Sequence, residues 1–361
     1  MKWLEHQPLA PLTTLGVGGK ARWFAEPETA DDWRQALAFA KQHQLVVQVL
    51  GGGSNVVVAD AGLNAVVLRP AANRLQWTQH GQVSAESGVR WDELVIATVQ
   101  AGLQGLECLS GIPGMVGSAP VQNIGAYGQE LDQTLTRVQV LDRQNGQVLW
   151  LEREQCQFAY RDSYFKRHPQ QYIVLQVQLQ LEPGGTPAIA YAQLREALQM
   201  QELSLPLTAG RDGLERVREA VLALRRSKAM CYDTNDFDSH GCGSFFTNPV
   251  VMPEQAQTLS AMFSPTMMPC WPQANGSVKL SAAWLIERSG LHKGQSLPDH
   301  PLAALSRKHV LALVNRGGAS ADAILGLASH VQRQVLATCD VWLEPEPVLL
   351  GFDGRPLSRL G

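Results

Sequence analysis

The chain has no apolar run long enough to cross a membrane, and its opening residues, MKWLEHQPLAPLTTLG, hold no apolar stretch of the secretory kind. A cytoplasmic protein without a membrane partner is the expectation. Net charge is also small. The 30 Lys and Arg stand against 33 Asp and Glu, a formal charge of -3. That balance leaves no electrostatic footprint for DNA or RNA, so any anionic ligand must meet a local cluster of cations. Cysteine pairs at zinc-knuckle or CxxC spacing are missing. Cys108, Cys156, Cys231, Cys242, Cys270 and Cys339 are scattered, which implies a reducing compartment and no metal. Internal repeats and low-complexity tails are absent as well. The 361 residues, 45% of them hydrophobic, have ample material for a core and for roughly two or three domains.

Glycine is abundant where charge is not. Ser110 to Gly128 reads SGIPGMVGSAPVQNIGAYG, without one charged residue. Gln122 and Asn123 exclude a lipid-facing span. Glycines there let backbone approach a ligand and adopt positive φ, and the amides of such loops can cradle phosphate without lysine. A second loop, Gly51-Gly52-Gly53-Ser54-Asn55, has the same character. Two such loops point to a ligand with a pyrophosphate and a large planar head.

Around these loops the pattern is α+β. Thr29 and Asp32 form a capping-box signal for a helix carrying Trp33, Ala36, Leu37 and Ala40. Leu45 to Leu50 reads as a buried strand running into Gly51. A dinucleotide turn of the Rossmann type would open a helix there, but Val56-Val57-Val58 predicts another strand. Trp91, Leu94, Val95, Thr98 and Val99 mark a helix ending near Gly102. Residues 137–153 predict a hairpin closed by a two-residue Asn145-Gly146 turn. In 172–181, Ile173, Leu175, Val177, Leu179 and Leu181 alternate with Gln176, Gln178 and Gln180, which predicts a strand with one face in solvent. Further helices are expected from about Arg216, from Ser281 to Ser289, and from about Ser320 through Val335.

Three more constellations could carry chemistry. Gly243-Ser244-Phe245-Phe246-Thr247-Asn248-Pro249 sets a serine between glycine and two aromatics. Its blander reading is an Asn-Pro turn with core phenylalanines, and the Gly-x-Ser-x-Gly elbow of hydrolases is absent. Tyr160-Arg161-Asp162-Ser163-Tyr164-Phe165-Lys166 reads, taken alone, as a solvated loop with a surface ion pair. Leu343-Glu344-Pro345-Glu346-Pro347 reads, taken alone, as an exposed extended tail.

Taken together and in order, these motifs resemble one family, UDP-N-acetylenolpyruvoylglucosamine reductase, a flavoenzyme of bacterial cell-wall precursor synthesis. The resemblance runs over nearly the whole chain, from Thr13 to Gly19 through both glycine loops to Glu346. Tyr191 resembles the substrate-capping tyrosine of the Tyr-containing subtype. The resemblance implies a vanillyl-alcohol-oxidase type of FAD-binding fold in two subdomains, 1–70 and 71–225 with 338–361, beside a separate α+β substrate domain, 226–337. It implies non-covalent FAD bound through Gly51, Gly52, Gly53, Ser54, Asn55, Gly117, Ser118, Asn123, Gly125 and Ala126, NADPH as co-substrate, and a monomer. It also implies substrate contacts from Tyr191, Lys228 and Asn248, with Arg225 and Arg226 as possible helpers at a helix end.

The implied reaction reduces the enolpyruvyl ether of UDP-N-acetylglucosamine to UDP-N-acetylmuramate. Hydride passes from flavin N5 to the vinyl carbon, and the neighbouring carbon takes a proton from Ser244. Arg161 and Glu346 are the implied partners of the substrate carboxylate, where negative charge develops. Three departures accompany the likeness: Thr247 replaces the usual lysine, Pro347 follows Glu346, and Ala229 to Thr234 lacks the prolines common there. Two rivals remain at this level. Another oxidase or dehydrogenase on the flavin fold would keep both glycine loops without needing Ser244, Arg161, Glu346 and Tyr191 together. A non-catalytic flavin module would leave those residues coincidental.

Overall fold

The computed structural model describes residues 1–77, 79–200 and 207–352. The chain divides into two units. The first contains Met1–Gln7, Ala21–Gly52 and Asn64–Cys231, and the second Pro8–Lys20, Gly53–Leu63 and Tyr232–Gly361.

In the first unit Thr29 caps the helix Ala30–Gln42 as its sequence implies, with its hydroxyl and the Asp32 carboxylate each accepting the other's amide. Trp33, Ala36 and Ala40 on that helix are buried. They pack with Val66 and Leu68 of a four-stranded sheet, ordered Trp3–Pro8, Lys20–Ala25, Leu63–Leu68, Val46–Val49. Gly51 to Gly53 follow the parallel edge strand Val46–Val49, and Val56–Val58 is again a strand. The loop is therefore strand–turn–strand, and the Rossmann alternative fails here.

An antiparallel sheet forms the other core of this unit, ordered Val148–Glu152, Leu135–Asp142, Tyr172–Gln180, Gln82–Glu86, Leu75–Trp77. The helix Trp91–Gln100 packs on it through Trp91, Leu94, Val95 and Val99. Each such fully buried large side chain stabilises by about 1.5–3 kcal/mol. Two expectations need correction. The hairpin loop is not the two-residue Asn-Gly turn but spans 143–146. Asp142 accepts the amides of Gln144 and Asn145 and starts the turn early. Nor is the glutamine face of Tyr172–Gln180 simply solvated. Gln178 is buried, accepting from Arg137 Nε at 2.7 Å and donating to Ser84 Oγ at 3.1 Å.

The second unit has its own core. Phe245, Phe246, Leu285, Ile286, Ile324 and Val331 are at or below 1% exposure within it. Helices Ala282–Arg288 and Ala321–Cys339 begin at serine N-caps, Ser281 and Ser320, as expected. The described part of 338–361, expected beside 71–225, carries the strand Val348–Leu350, which pairs in parallel with Val56–Val58. The rest of it, 353–361, lies outside the described residues. Helices Ala192–Met200 and Pro253–Met262 were not foreseen from the sequence.

Candidate functional site

The glycine loops of the first unit meet backbone to backbone. A Cβ on Gly52 would lie 2.5 Å from Gly114 Cα, and one on Gly51 would lie 2.0 Å from Ser118 Oγ. A Cβ on Gly117 would lie 2.6 Å from that of Ser87. Only glycine allows this approach. The amides of Gly51, Gly52 and Gly53 donate to no group among the described residues. Gly51 and Gly52 are partly exposed and Gly53 is buried, and successive unengaged N–H groups of this kind are what a phosphate oxygen requires. Gly53 itself has φ +64 and sits against the Leu12 carbonyl, with its own carbonyl accepting from the Thr14 amide at 3.1 Å.

Further along the Ser110–Gly128 segment, Asn123 is buried and in a left-handed conformation. Its amide nitrogen donates to Glu130 Oε2 at 3.0 Å and to the Ala159 carbonyl at 3.3 Å, and its oxygen accepts the Asp132 amide. The side chain thus braces the loop. Arg161, also at positive φ, donates through Nη2 to the Gly125 carbonyl at 2.7 Å. Gly125 is pressed between Glu130 and this guanidinium, where a Cβ would lie 2.8 Å from Glu130 Cγ. The turn 159–162 and a Ser163 cap on the short helix Tyr164–Arg167 hold Arg161. Asp162 does pair with Arg167, as the bland reading of that loop expected.

Tyr191 is exposed and stands edge-on to Tyr127, with ring centroids 5.5 Å apart. Burial pushes the Tyr127 hydroxyl up to about 12 despite the opposing charge of Arg225. Lys228 ends the helix Arg211–Ser227 and donates to Gln193 Oε1 at 2.7 Å. Burial, then the charge of Arg225, lowers its pKa. Arg225 donates through Nη2 to the Met230 carbonyl, while its Nε is buried without a partner among the described residues. Tyr127 and Gln193 thus join the expected Tyr191 and Lys228 and their expected helper Arg225. Tyr127 could have been noticed as the aromatic set between Gly125 and Gly128.

The second unit holds the other expected residues. Ser244 follows Gly243, whose φ is +76, and precedes two phenylalanines at 0% and 1% exposure. Those buried rings anchor the backbone that presents the hydroxyl. The C-terminal segment runs alongside: Phe246 bridges Pro345, the Glu346 amide donates to the Phe245 carbonyl at 2.9 Å, and the Thr247 amide to the Glu344 carbonyl at 3.0 Å. Leu343 and Pro347 are buried, so this is a docked extended segment and not the loose tail its prolines imply. Cys242 is close enough to Glu346 to feel its charge. Burial first, then that charge, pushes the thiol up to about 12. Asn55 Nδ2 reaches the Glu346 carbonyl at 3.4 Å. Asn248 Oδ1 accepts the Ala282 amide at 3.0 Å and so helps cap a helix.

Residues 21–152 match the FAD-binding domain family. Residues 235–350 match the C-terminal domain of UDP-N-acetylenolpyruvoylglucosamine reductase. The reductase of that name from Saccharopolyspora erythraea is 44% identical over 355 residues, covering 95% of this chain and 94% of that one. The chain belongs to the UDP-N-acetylenolpyruvoylglucosamine reductase family. The reductase of Mycobacterium ulcerans is likewise 44% identical, over 358 residues covering 96% and 95%. A crystal structure of the Thermus caldophilus reductase, 26% identical, aligns with a TM-score of 0.66 over 97% of this chain and 98% of that one. Within this reductase family framework the glycine loops fall in the FAD-binding segment and Ser244, Asn248 and Glu346 in the C-terminal domain. Arg161, Tyr191 and Lys228 lie between the two matched segments. The unengaged amides of Gly51 to Gly53 fit the diphosphate of FAD. Among the described residues no helix is long and apolar enough to cross a membrane.

Proposed function

We propose that this chain is the FAD-dependent oxidoreductase that reduces UDP-N-acetylglucosamine enolpyruvate to UDP-N-acetylmuramate in peptidoglycan precursor synthesis, with NADPH as its reductant. The observation that carries this reading is the presence, in one chain, of a phosphate cradle in an FAD-binding segment and, in a reductase C-terminal domain, of the Ser244 and Glu346 segments tied together by the Phe246–Pro345 bridge. We further assign 1–70 and 71–225 with 338–361 to flavin binding and 226–337 to substrate binding, in a cytoplasmic monomer.

When bound, FAD supplies the two-electron chemistry, accepting hydride from NADPH and giving it to the vinyl carbon. Gly51, Gly52 and Gly53, with Ser54 and Asn55, would hold its diphosphate, and Gly117, Ser118, Gly125 and Ala126 would line its bed. Asn123 would act there through the loop it braces. Arg161 donates to the substrate carboxylate as charge develops on it, and Glu346, when protonated, would share that task. The Ser244 hydroxyl gives its proton to the carbon beside the carboxylate and is replenished from water. Lys228 meets the diphosphate of the sugar nucleotide, Asn248 contributes polar contact, and Tyr191 closes over the ligand. Thr247, by its backbone bond to Glu344, contributes alignment of the two segments where a lysine would contribute charge.

Anaerobic stopped-flow absorbance tests this reading. NADPH should bleach the flavin, and the enolpyruvyl substrate should restore it. Bleaching without substrate-driven recovery would favour another flavin oxidoreductase, and protein without bound flavin would defeat the assignment. Ser244→Ala should slow the recovery by roughly 10²–10⁴ and leave bleaching nearly intact. Equal losses in both halves would remove Ser244 as the proton donor. Glu346→Gln should also impair recovery more than bleaching.

A further inference from the structure

The second unit contains a surface cavity of about 600 Å³ lined by Phe237, His292, Lys293, Gly294, Arg307 and Arg316. None of these residues has a place in the reductase chemistry above. The lining carries three permanent cations and no carboxylate. Arg307 is oriented by Asp238, which is 4% exposed and accepts both its backbone amide at 2.8 Å and its Nε at 2.9 Å. The two Nη nitrogens of Arg307 have no hydrogen-bond partner among the described residues. Arg316 donates through Nη2 to the Gly294 carbonyl at 2.9 Å, whereas its Nε is buried with no acceptor among the described residues. A buried donor left without an acceptor is costly and rare in folded proteins. Lys293 pairs with no carboxylate among the described residues, while the neighbouring Lys308 is matched by Asp236 at 2.6 Å.

Phe237 adds an aromatic wall. It is 46% exposed, and it rests against Gly317, where a Cβ would lie 3.2 Å from the ring. Two guanidinium forks and an ammonium converging on one cavity suit the tetrahedral oxygens of a phosphate, and an exposed ring suits a planar or apolar group joined to it.

We propose that this cavity is a second anion site, which takes a small phosphorylated ligand on Arg307, Arg316 and Lys293. The inference stands whether or not the reductase assignment does. Its test is calorimetric titration of pyrophosphate into the flavin-loaded protein at constant ionic strength, in the parent, Arg316→Met, Lys293→Gln and Lys228→Ala. At least one pyrophosphate should bind the parent. Arg316→Met and Lys293→Gln should each weaken the cavity-bound pyrophosphate at least about tenfold, and Lys228→Ala, which removes the diphosphate ligand assigned above, should still bind one pyrophosphate. Binding lost in Lys228→Ala but kept in both cavity variants, or no binding to the parent at millimolar pyrophosphate, would overturn the proposal. Should Arg316→Met fail to fold, Lys293→Gln carries the same test, since that side chain is exposed. Displacement by uridine monophosphate in the Lys228→Ala protein would identify a nucleotide as occupant. Retained pyrophosphate there would identify a free polyphosphate.

Discussion

At Gly51 and Gly52 two adjacent glycines face different obstacles, which separates their tolerance to substitution. A methyl on Gly51 would meet the Ser118 hydroxyl, a side chain that can rotate away, whereas one on Gly52 would meet the Gly114 backbone. Gly52→Ala should therefore cost about 1–3 kcal/mol through forced backbone shift and release flavin, and Gly51→Ala should cost less of both. Flavin content per chain and thermal unfolding would measure this, and the reverse order would refute the packing argument. Both glycines are legible in the sequence as a loop without charge. Which atom each one touches is not, because the opposing segment lies more than sixty residues further along. Asn123 shows the limit more sharply. The resemblance implies a flavin contact there, and the fold adds that its amide has three partners within the protein.

Between elements, the helix Trp91–Gln100 is tied to Arg211–Ser227 by Asp92. Its carboxylate accepts from Arg218 Nη1 and Nη2 at 2.6 and 2.7 Å and from the Gly111 amide at 2.6 Å. Burial pushes the Asp92 pKa up, but the hydrogen bonds from Arg218 and Gly111 outweigh it and hold the carboxyl below its usual range. A depressed folded-state pKa contributes stability that is present above the unfolded value, about 3.9, and is lost as pH falls through the folded one. Asp92→Asn should therefore lower stability at neutral pH and flatten its decline below about pH 4. Chemical denaturation across pH would show this, and an unchanged acid limb would exclude Asp92 as a contributor. The helices themselves were readable from spacing and caps. Ala192–Met200 escaped notice because it has only Leu194 and Leu198 to bury, against Val217, Ala220 and Val221 of another helix.

For the whole molecule, a cofactor that binds only the folded chain raises its stability. Free FAD at 100 times its dissociation constant should add about 2.7 kcal/mol. Flavin-stripped protein should melt earlier and recover its melting temperature as FAD is titrated back, while a melting temperature indifferent to FAD would contradict the cradle at Gly51 to Gly53. The amino-acid sequence alone determined the α+β class, the capped helices, the strand–turn–strand course through Gly51 to Gly53, and the family resemblance. Each of these depends on residue types within a few positions, where the 3.6 and 2.0 periods and the caps operate. Only tertiary structure decided that Glu346 lies on a segment docked beside Phe245, with Asn55, 291 residues away, at its carbonyl. It also decided that Gln178 is buried, and that Arg307 and Arg316 line one cavity. Such contacts arise when distant segments bury apolar surface together and their polar groups must then find partners. That pairing is set by the packed whole and leaves no local pattern to read.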